Sequence, residues 1–181
     1  MITKEIQNFI RENALERFLR YVQIFTTSDE ESDASPTSKN QFDLAELLKK
    51  ELLELGLENV ELTDTCYVYA TLPANVEDSE NVISFCAHMD TSPAVSGENV
   101  KPIIHKNYQG DDILFPDDED LVLNPTISPE LKNFIGENII TASGKTLLGA
   151  DDKAGIAEII AAVNAFVKFP ELKHPEIRLC F

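Results

Sequence analysis

Leu15, Phe18, Leu19, Val22 and Phe25 recur at three- and four-residue intervals, the apolar stripe of an amphipathic helix. Ile6, Phe9 and Ile10 predict a shorter helix before it. Residues 28–38 are polar and acidic without any period, and they predict a loop. Ser38 followed by Gln41 has the spacing of a capping box, so a second helix is expected to begin there. Its buried face would be Phe42, Ala45, Leu48, Leu52 and Leu55. Gly56 then supplies the left-handed residue on which helices commonly stop.

The period changes after Gly56. Asn59–Leu62 and Cys66–Leu72 are short and rich in β-formers. Val82–Ala87 is nearly continuous in apolar residues, which predicts a strand covered on both faces. Residues 93–136 are irregular and rich in Pro, Asp and Asn, long for a purely structural loop. Ile139 and Ile140 predict a short strand. A third helix is expected from near Asp152, burying Ile156, Ile159, Ile160, Val163 and Phe166, and Ile177–Phe181 reads as a further apolar strand. Helices alternating with apolar strands predict an α/β fold, a three-layer sheet with helices on both faces. No internal repeat is visible. The chain stops within an apolar strand, whereas domain boundaries normally fall in polar linkers. A surface strand and the front part of a longer protein are both consistent with that ending.

Composition narrows the function classes. Fifteen basic residues face 32 acidic ones, a net charge of −17. Such a surface excludes nucleic-acid and anionic-membrane partners, which are bound through Lys and Arg. It suits a chain whose carboxylates hold cations. Three scattered cysteines without a CxxC pair give neither a disulfide framework nor a cysteine zinc knuckle. The N-terminus lacks the unbroken apolar core of a signal peptide, and no apolar run is long enough to span a bilayer. A cytoplasmic location is expected.

Two segments carry candidate chemistry. The Val82–Ala87 strand runs directly into His88, with Asp90 two residues on. Ligand sites of open α/β sheets lie at the carboxyl ends of strands, and residues two apart in an extended chain point the same way. Asp90 can therefore hold the ring of a metal-bound His88. The same residues also read as a capping turn before Pro93. The second segment is Leu147-Leu-Gly-Ala-Asp151-Asp152-Lys153, two carboxylates opening a helix. They read equally as an N-terminal cap and as a carboxylate bridging two cations.

Other features are assigned no role. Gly144-Lys-Thr lacks the glycine a phosphate loop needs, since position 139 is Ile. Asp111-Asp112 and Asp117–Asp120 do not have calcium-loop spacing and read as solvated loops. His105 and His174 read as surface residues, and Cys86 as core. Together His88, Asp90 and the Asp pair offer nitrogen and oxygen donors without thiolate, which suits catalytic zinc or a zinc or manganese pair.

Ala70–Val76, Ala87-His-Met-Asp-Thr-Ser-Pro93 and Thr146–Glu158 together closely resemble the peptidase T family, tripeptide aminopeptidases among the two-zinc exopeptidases. Asn107-Tyr108, Gly110–Ile113 and the helical segments Leu15–Phe25 and Phe42–Leu57 are similar too. The resemblance runs from about residue 14 onward, and Met89 stands where Val is the common residue. It implies a zinc-exopeptidase-like catalytic domain over 14–181, incomplete at its C-terminus, with 1–13 as an N-terminal extension. It implies that His88 ligates the first of two zinc ions, that Asp90 is the catalytic carboxylate orienting His88, and that Asp151 bridges both ions. Asp152 would support the helix start. Family members release the N-terminal residue of tripeptides with a metal-activated water and a Glu general base.

In the family the base Glu, the other ligands and an inserted lid and dimerisation domain follow the strand matching Ile177–Phe181. The 181 residues thus carry two of five expected ligands, and on this reading the chain alone is inactive and the longer protein a homodimer. The competing expectations are a non-catalytic acidic module that binds a partner or cations, and a related two-zinc dipeptidase, carboxypeptidase or amidohydrolase.

Overall fold

The computed structural model describes residues 2–77 and 81–181. Helix α1 spans Lys4–Tyr21, capped by Thr3, whose hydroxyl accepts from the Ile6 N–H at 3.3 Å. One helix therefore replaces the two that the pattern predicts, and it passes residues 13 and 14 without a break. Its early turns are held by packing on the helix near the C-terminus. Ile6 is buried, Phe9 meets Phe169 edge to face, and Asn13 accepts from Asn164 at 2.6 Å.

Helix α2 spans Gln41–Glu54 and buries Leu44, Ala45, Leu48 and Leu52. The expected capping box does not form. Asn40 holds the cap position in a helical conformation, and Ser38 contributes only its carbonyl, to the Gln41 N–H at 3.2 Å. The turn there is already helical, so no extended residue presents a side-chain oxygen to the first amides. The other end behaves as expected. Gly56 is left-handed at φ +79°, its N–H donates to the Leu53 carbonyl, and Leu57 N–H donates to the Leu52 carbonyl. That double closure satisfies the last carbonyls of the helix.

The main sheet has the order β1 (Glu58–Leu62), β2 (Val68–Leu72), β8 (Glu176–Cys180), β3 (Val82–Cys86). Strand β8 is antiparallel to β2 and parallel to β3. Val68, Ala70, Leu72, Ile177 and Leu179 alternate onto one face and form one core with α1, α2 and helix α3 (Ala150–Lys168). The α/β sheet with helices packed on it is thus what the structure shows. Tyr67, Tyr69 and Arg178, on the opposite face, are exposed. Strand β3 is not covered on both faces as its apolar run predicts. Val82, Ile83 and Phe85 are each more than two-fifths exposed. The physical reason is position: β3 pairs with β8 alone, and its other edge has no strand beside it among the described residues.

Residues 93–136 hold more order than their composition predicts. Strand β4 (Ile103–His105) pairs with β7 (Ile139–Thr141), and β5 (Ile113–Phe115) with β6 (Asp118–Leu123). Tyr108, Ile113 and Leu131 form a second small core beneath them. The acidic Asp117–Asp120 run therefore turns a hairpin rather than a free loop, and Asp117 pairs with Lys101 at 3.4 Å. His174 is also corrected. It is buried, packs against Phe166 at 4.7 Å between ring centroids, and its N–H donates to Asn75. His105 is half-buried and shares a hydrogen bond with the Thr141 hydroxyl at 3.0 Å.

Helices α1 and α2 are joined by a polar cluster. Glu51 is buried and accepts from Arg17 Nε at 3.1 Å, Arg20 Nη2 at 2.5 Å and the Tyr21 hydroxyl at 2.7 Å. Burial, and then Glu51 itself, push the Tyr21 pKa well above its ordinary value. Removing one partner from such a cluster leaves the others desolvated and unpaired, at a cost of about 3–5 kcal/mol. Glu51→Ala is therefore expected to lower the unfolding free energy by about that amount, and Glu51→Gln by clearly less, because an acceptor for Tyr21 survives. Urea unfolding of the three proteins checks it. Equal losses in the two variants would show that the hydrogen bonds do not matter.

Candidate metal centre

Pairing of β3 with β8 continues one residue past the strand, with the Ala87 N–H donating to the Cys180 carbonyl at 3.2 Å. Ala87 and Met89 point into the core, so His88 is held outward between them. The following residue is stitched down. Thr91 forms a parallel bridge with Thr27, its N–H donates to the Thr26 carbonyl, and its own carbonyl accepts from the Ser28 N–H at 3.0 Å. His88 and Asp90 thus sit on a short span anchored at both ends.

The second carboxylate arrives from the start of α3. Gly149 is left-handed at φ +75°, and a Cβ there would come within 3.0 Å of the Thr91 methyl. Leu147 N–H donates to the Ser96 carbonyl at 2.9 Å, so this loop docks directly on the segment after Asp90. Asp151 (φ −91°, ψ 104°) and Asp152 (φ −121°, ψ 32°) are not helical. The Asp151–Asp152 peptide is cis. Asp152 Oδ1 accepts from the Gly155 N–H at 3.1 Å, the hydrogen bond of an N-cap. A side chain on Gly155 would collide with that carboxylate. Asp151 is freed from capping, and its side chain is 95% exposed.

The two segments meet at His88. Its Nδ1 lies 2.9 Å from the Asp90 carbonyl and 3.2 Å from Asp90 Oδ1, and its Nε2 lies 3.0 Å from Asp151 Oδ1. Burial lowers the His88 pKa, but hydrogen bonding to Asp151 and to the Asp90 carbonyl, with both negative charges, outweighs it and raises the net value. The arrangement favours a cation, whether a proton on the ring or a metal at its edge. Nitrogen and oxygen ligands of one tetrahedral zinc at roughly 2.0–2.1 Å stand about 3.3 Å apart, so Nε2 and Oδ1 fit a shared ion with little movement. Among the described residues no group of three or more His, Cys, Asp and Glu side chains is placed to hold a metal. The chain presents a pair of donors, with Asp90 behind the histidine.

His88 and Asp90 line two clefts. One, of about 540 Å³, is lined with Ser92, Leu148 and Asp151. The other, of about 350 Å³, is lined with Tyr67, Cys86 and Cys180. Cys86, expected in the core, is exposed. Two features escaped the sequence reading. Thr91 joins three segments, and Lys153 is 2% exposed with its ammonium donating to the Ile24 carbonyl at 2.6 Å. Lys153 was open to detection, because it is in phase with Ile156, Ile160 and Val163 on the buried stripe.

The chain has the fold of solved aminopeptidase and tripeptidase structures. It superposes on an aminopeptidase PepT from Bacillus cereus ATCC 10987 with a TM-score of 0.61 and 25% identity, covering 94% of this chain and 35% of that one. A tripeptidase from Staphylococcus aureus shares the fold with a TM-score of 0.59 at 21% identity, over 93% of this chain and 35% of the other. Among curated proteins, Peptidase T of Alkaliphilus oremlandii is 50% identical over 171 residues, which is 93% of this chain and 42% of that protein. Over nearly all its length the chain is thus a peptidase T-like sequence, as its motifs imply. It spans about two-fifths of the length of the curated relatives it matches. No family model matches the chain.

The division of labour between the two aspartates has a direct consequence. Asp152→Ala removes a cap and is expected to cost about 1 kcal/mol. Asp151→Ala should leave the thermal midpoint where it is, because that side chain faces solvent. Thermal unfolding of both variants checks this, and a larger loss in Asp151→Ala would show that the cap is misassigned.

Proposed function

We propose that His88 and Asp151 are zinc ligands of an aminopeptidase that releases the N-terminal residue of tripeptides, with Asp90 orienting His88. The observation that carries this is the placement of His88 Nε2 and Asp151 Oδ1 3.0 Å apart while Nδ1 is engaged by Asp90. The curated relatives named Peptidase T support the substrate class. Because the chain spans about two-fifths of those relatives, the activity is proposed for the whole protein.

Asp90 holds the Nδ1 proton, which fixes the tautomer, leaves the Nε2 lone pair for a metal and makes the ring more basic. Asp151 has no capping duty, and with one oxygen against His88 Nε2 its carboxylate is disposed as one shared by two ions would be. Its exposure, beside a cleft of about 540 Å³, supports a site open to a short peptide. Zinc, when bound, would polarise the scissile carbonyl and lower the pKa of a coordinated water. Among the described residues no helix is long and apolar enough to cross a membrane.

Four outcomes are expected. Cobalt(II), titrated as an optical stand-in for zinc, should bind the native protein and lose affinity in His88→Ala and Asp151→Ala. Asp90→Asn should weaken binding about 10–100-fold through the histidine alone. Affinity should fall with acid from above the ordinary histidine pKa of 6.5, because the raised value means the proton on Nε2 competes at higher pH. Tripeptide hydrolysis by the protein at its native length should vanish on chelation and in Asp151→Ala. Hydrolysis that survives Asp151→Ala would sink the assignment.

A further inference from the structure

Cys86 and Cys180 are the last residues of β3 and β8, and they are direct partners in the parallel register. Partners in adjacent parallel strands lie on the same face, and here that face is the one opposite the core, shared with Tyr69, which pairs with Cys180 from β2. Adjacent strands are about 4.7–4.9 Å apart, within the range of roughly 4.4–6.8 Å between α-carbons that a disulfide spans. Burial raises the Cys180 pKa, and the neighbouring Cys86 thiol raises it further, with Tyr69 opposing. Both line the 350 Å³ cleft, which is open to solvent. Cys86 is exposed and Cys180 half-buried. The third thiol, Cys66, is buried in the core, where burial pushes its pKa up to about 11.

We propose that Cys86 and Cys180 are a cross-strand dithiol that a hydroperoxide converts to an intramolecular disulfide. The sulfur of Cys86, the more accessible, attacks the peroxide. The O–O bond breaks, Cys86 becomes a sulfenic acid, and the peroxide leaves as an alcohol, or as water from hydrogen peroxide. The Cys180 sulfur then attacks Cys86, an S–S bond forms, and the sulfenic oxygen leaves as water with the thiol proton. Two thiols are oxidised by two electrons and one peroxide is reduced. The disulfide would tie β3 to β8 two residues before His88. This inference rests on strand register and exposure, and it does not depend on the peptidase reading.

The test exposes the native protein to a small molar excess of hydrogen peroxide. Free thiols are then alkylated in denaturant, and the peptides are mapped by mass. Of the three thiols, two should disappear and Cys66 should remain alkylated. The Cys86 and Cys180 peptides should be joined, about 2 Da lighter than their sum, and separated again by a dithiol reductant. The rate should not depend on protein concentration. In Cys180→Ser the resolving thiol is gone, so Cys86 should be trapped as a sulfenic acid by dimedone. Three results would overturn the proposal: all three thiols surviving, a disulfide that involves Cys66 or a second molecule, or Cys180→Ser yielding no sulfenic acid at Cys86.

Discussion

The ammonium of Lys153 lies inside the core and donates to the backbone carbonyl of Ile24 at 2.6 Å. Burial draws its pKa down to about 8. A buried amine without an acceptor would be too costly to keep, so the position of Ile24 and the position of α3 are set together. Ile24 lies just beyond α1, and the chain that follows it pairs with Thr91. Lys153 lies two residues after Asp151. One hydrogen bond therefore braces the two segments that bring His88 and Asp151 face to face. The lysine of the Asp-Asp-Lys run is a strut, and Asp151, the residue before the cap, is the one that faces His88.

Around that strut the work is divided between neighbours. Asp152 caps α3, which leaves Asp151 exposed and directed at His88. Ala87 and Met89 are anchored in the core, which leaves His88 facing outward. Asp90 is tied to the ring's other nitrogen. Alternation along an extended segment and the non-helical entry to α3 are simple devices, and each places a polar group at the surface by burying or satisfying its neighbour. The small residues serve closeness: Gly149 lets the α3 loop lie against Thr91, where a Cβ would crowd the threonine methyl.

Much of this was legible along the chain, and the failures are instructive. The faces of α2 and α3 follow from their period, and Gly56 ends α2 because a left-handed residue is needed there. His88 and Asp90 stood out because a polar pair interrupts an apolar strand at its carboxyl end. The apolar run of β3 misled, since hydrophobicity records what a strand prefers to touch and says nothing about whether a neighbour is present. Cys86 reads as core for the same reason. His174 reads as a surface residue because its flanks are polar, yet Phe166 and the distant Asn75 reach it in the fold. Residues 93–136 concealed the β5–β6 hairpin and strand β4, whose partner β7 lies beyond them, because strands as short as three residues leave too little pattern to detect.

What the sequence by itself determined is helices α2 and α3, the strands outside residues 93–136, the α/β class and the identity of the residues with chemistry to offer, because period, glycine and charge are local properties. By local rules the two aspartates read alike, and the tertiary structure separates them: the approach of the β3 loop leaves Asp152 as the cap and turns Asp151 to the histidine. It alone set Cys86 beside Cys180, because strand register is a contact between residues 94 positions apart. And it alone revealed Lys153 as a buried brace, because the carbonyl that accepts its proton lies 129 residues away.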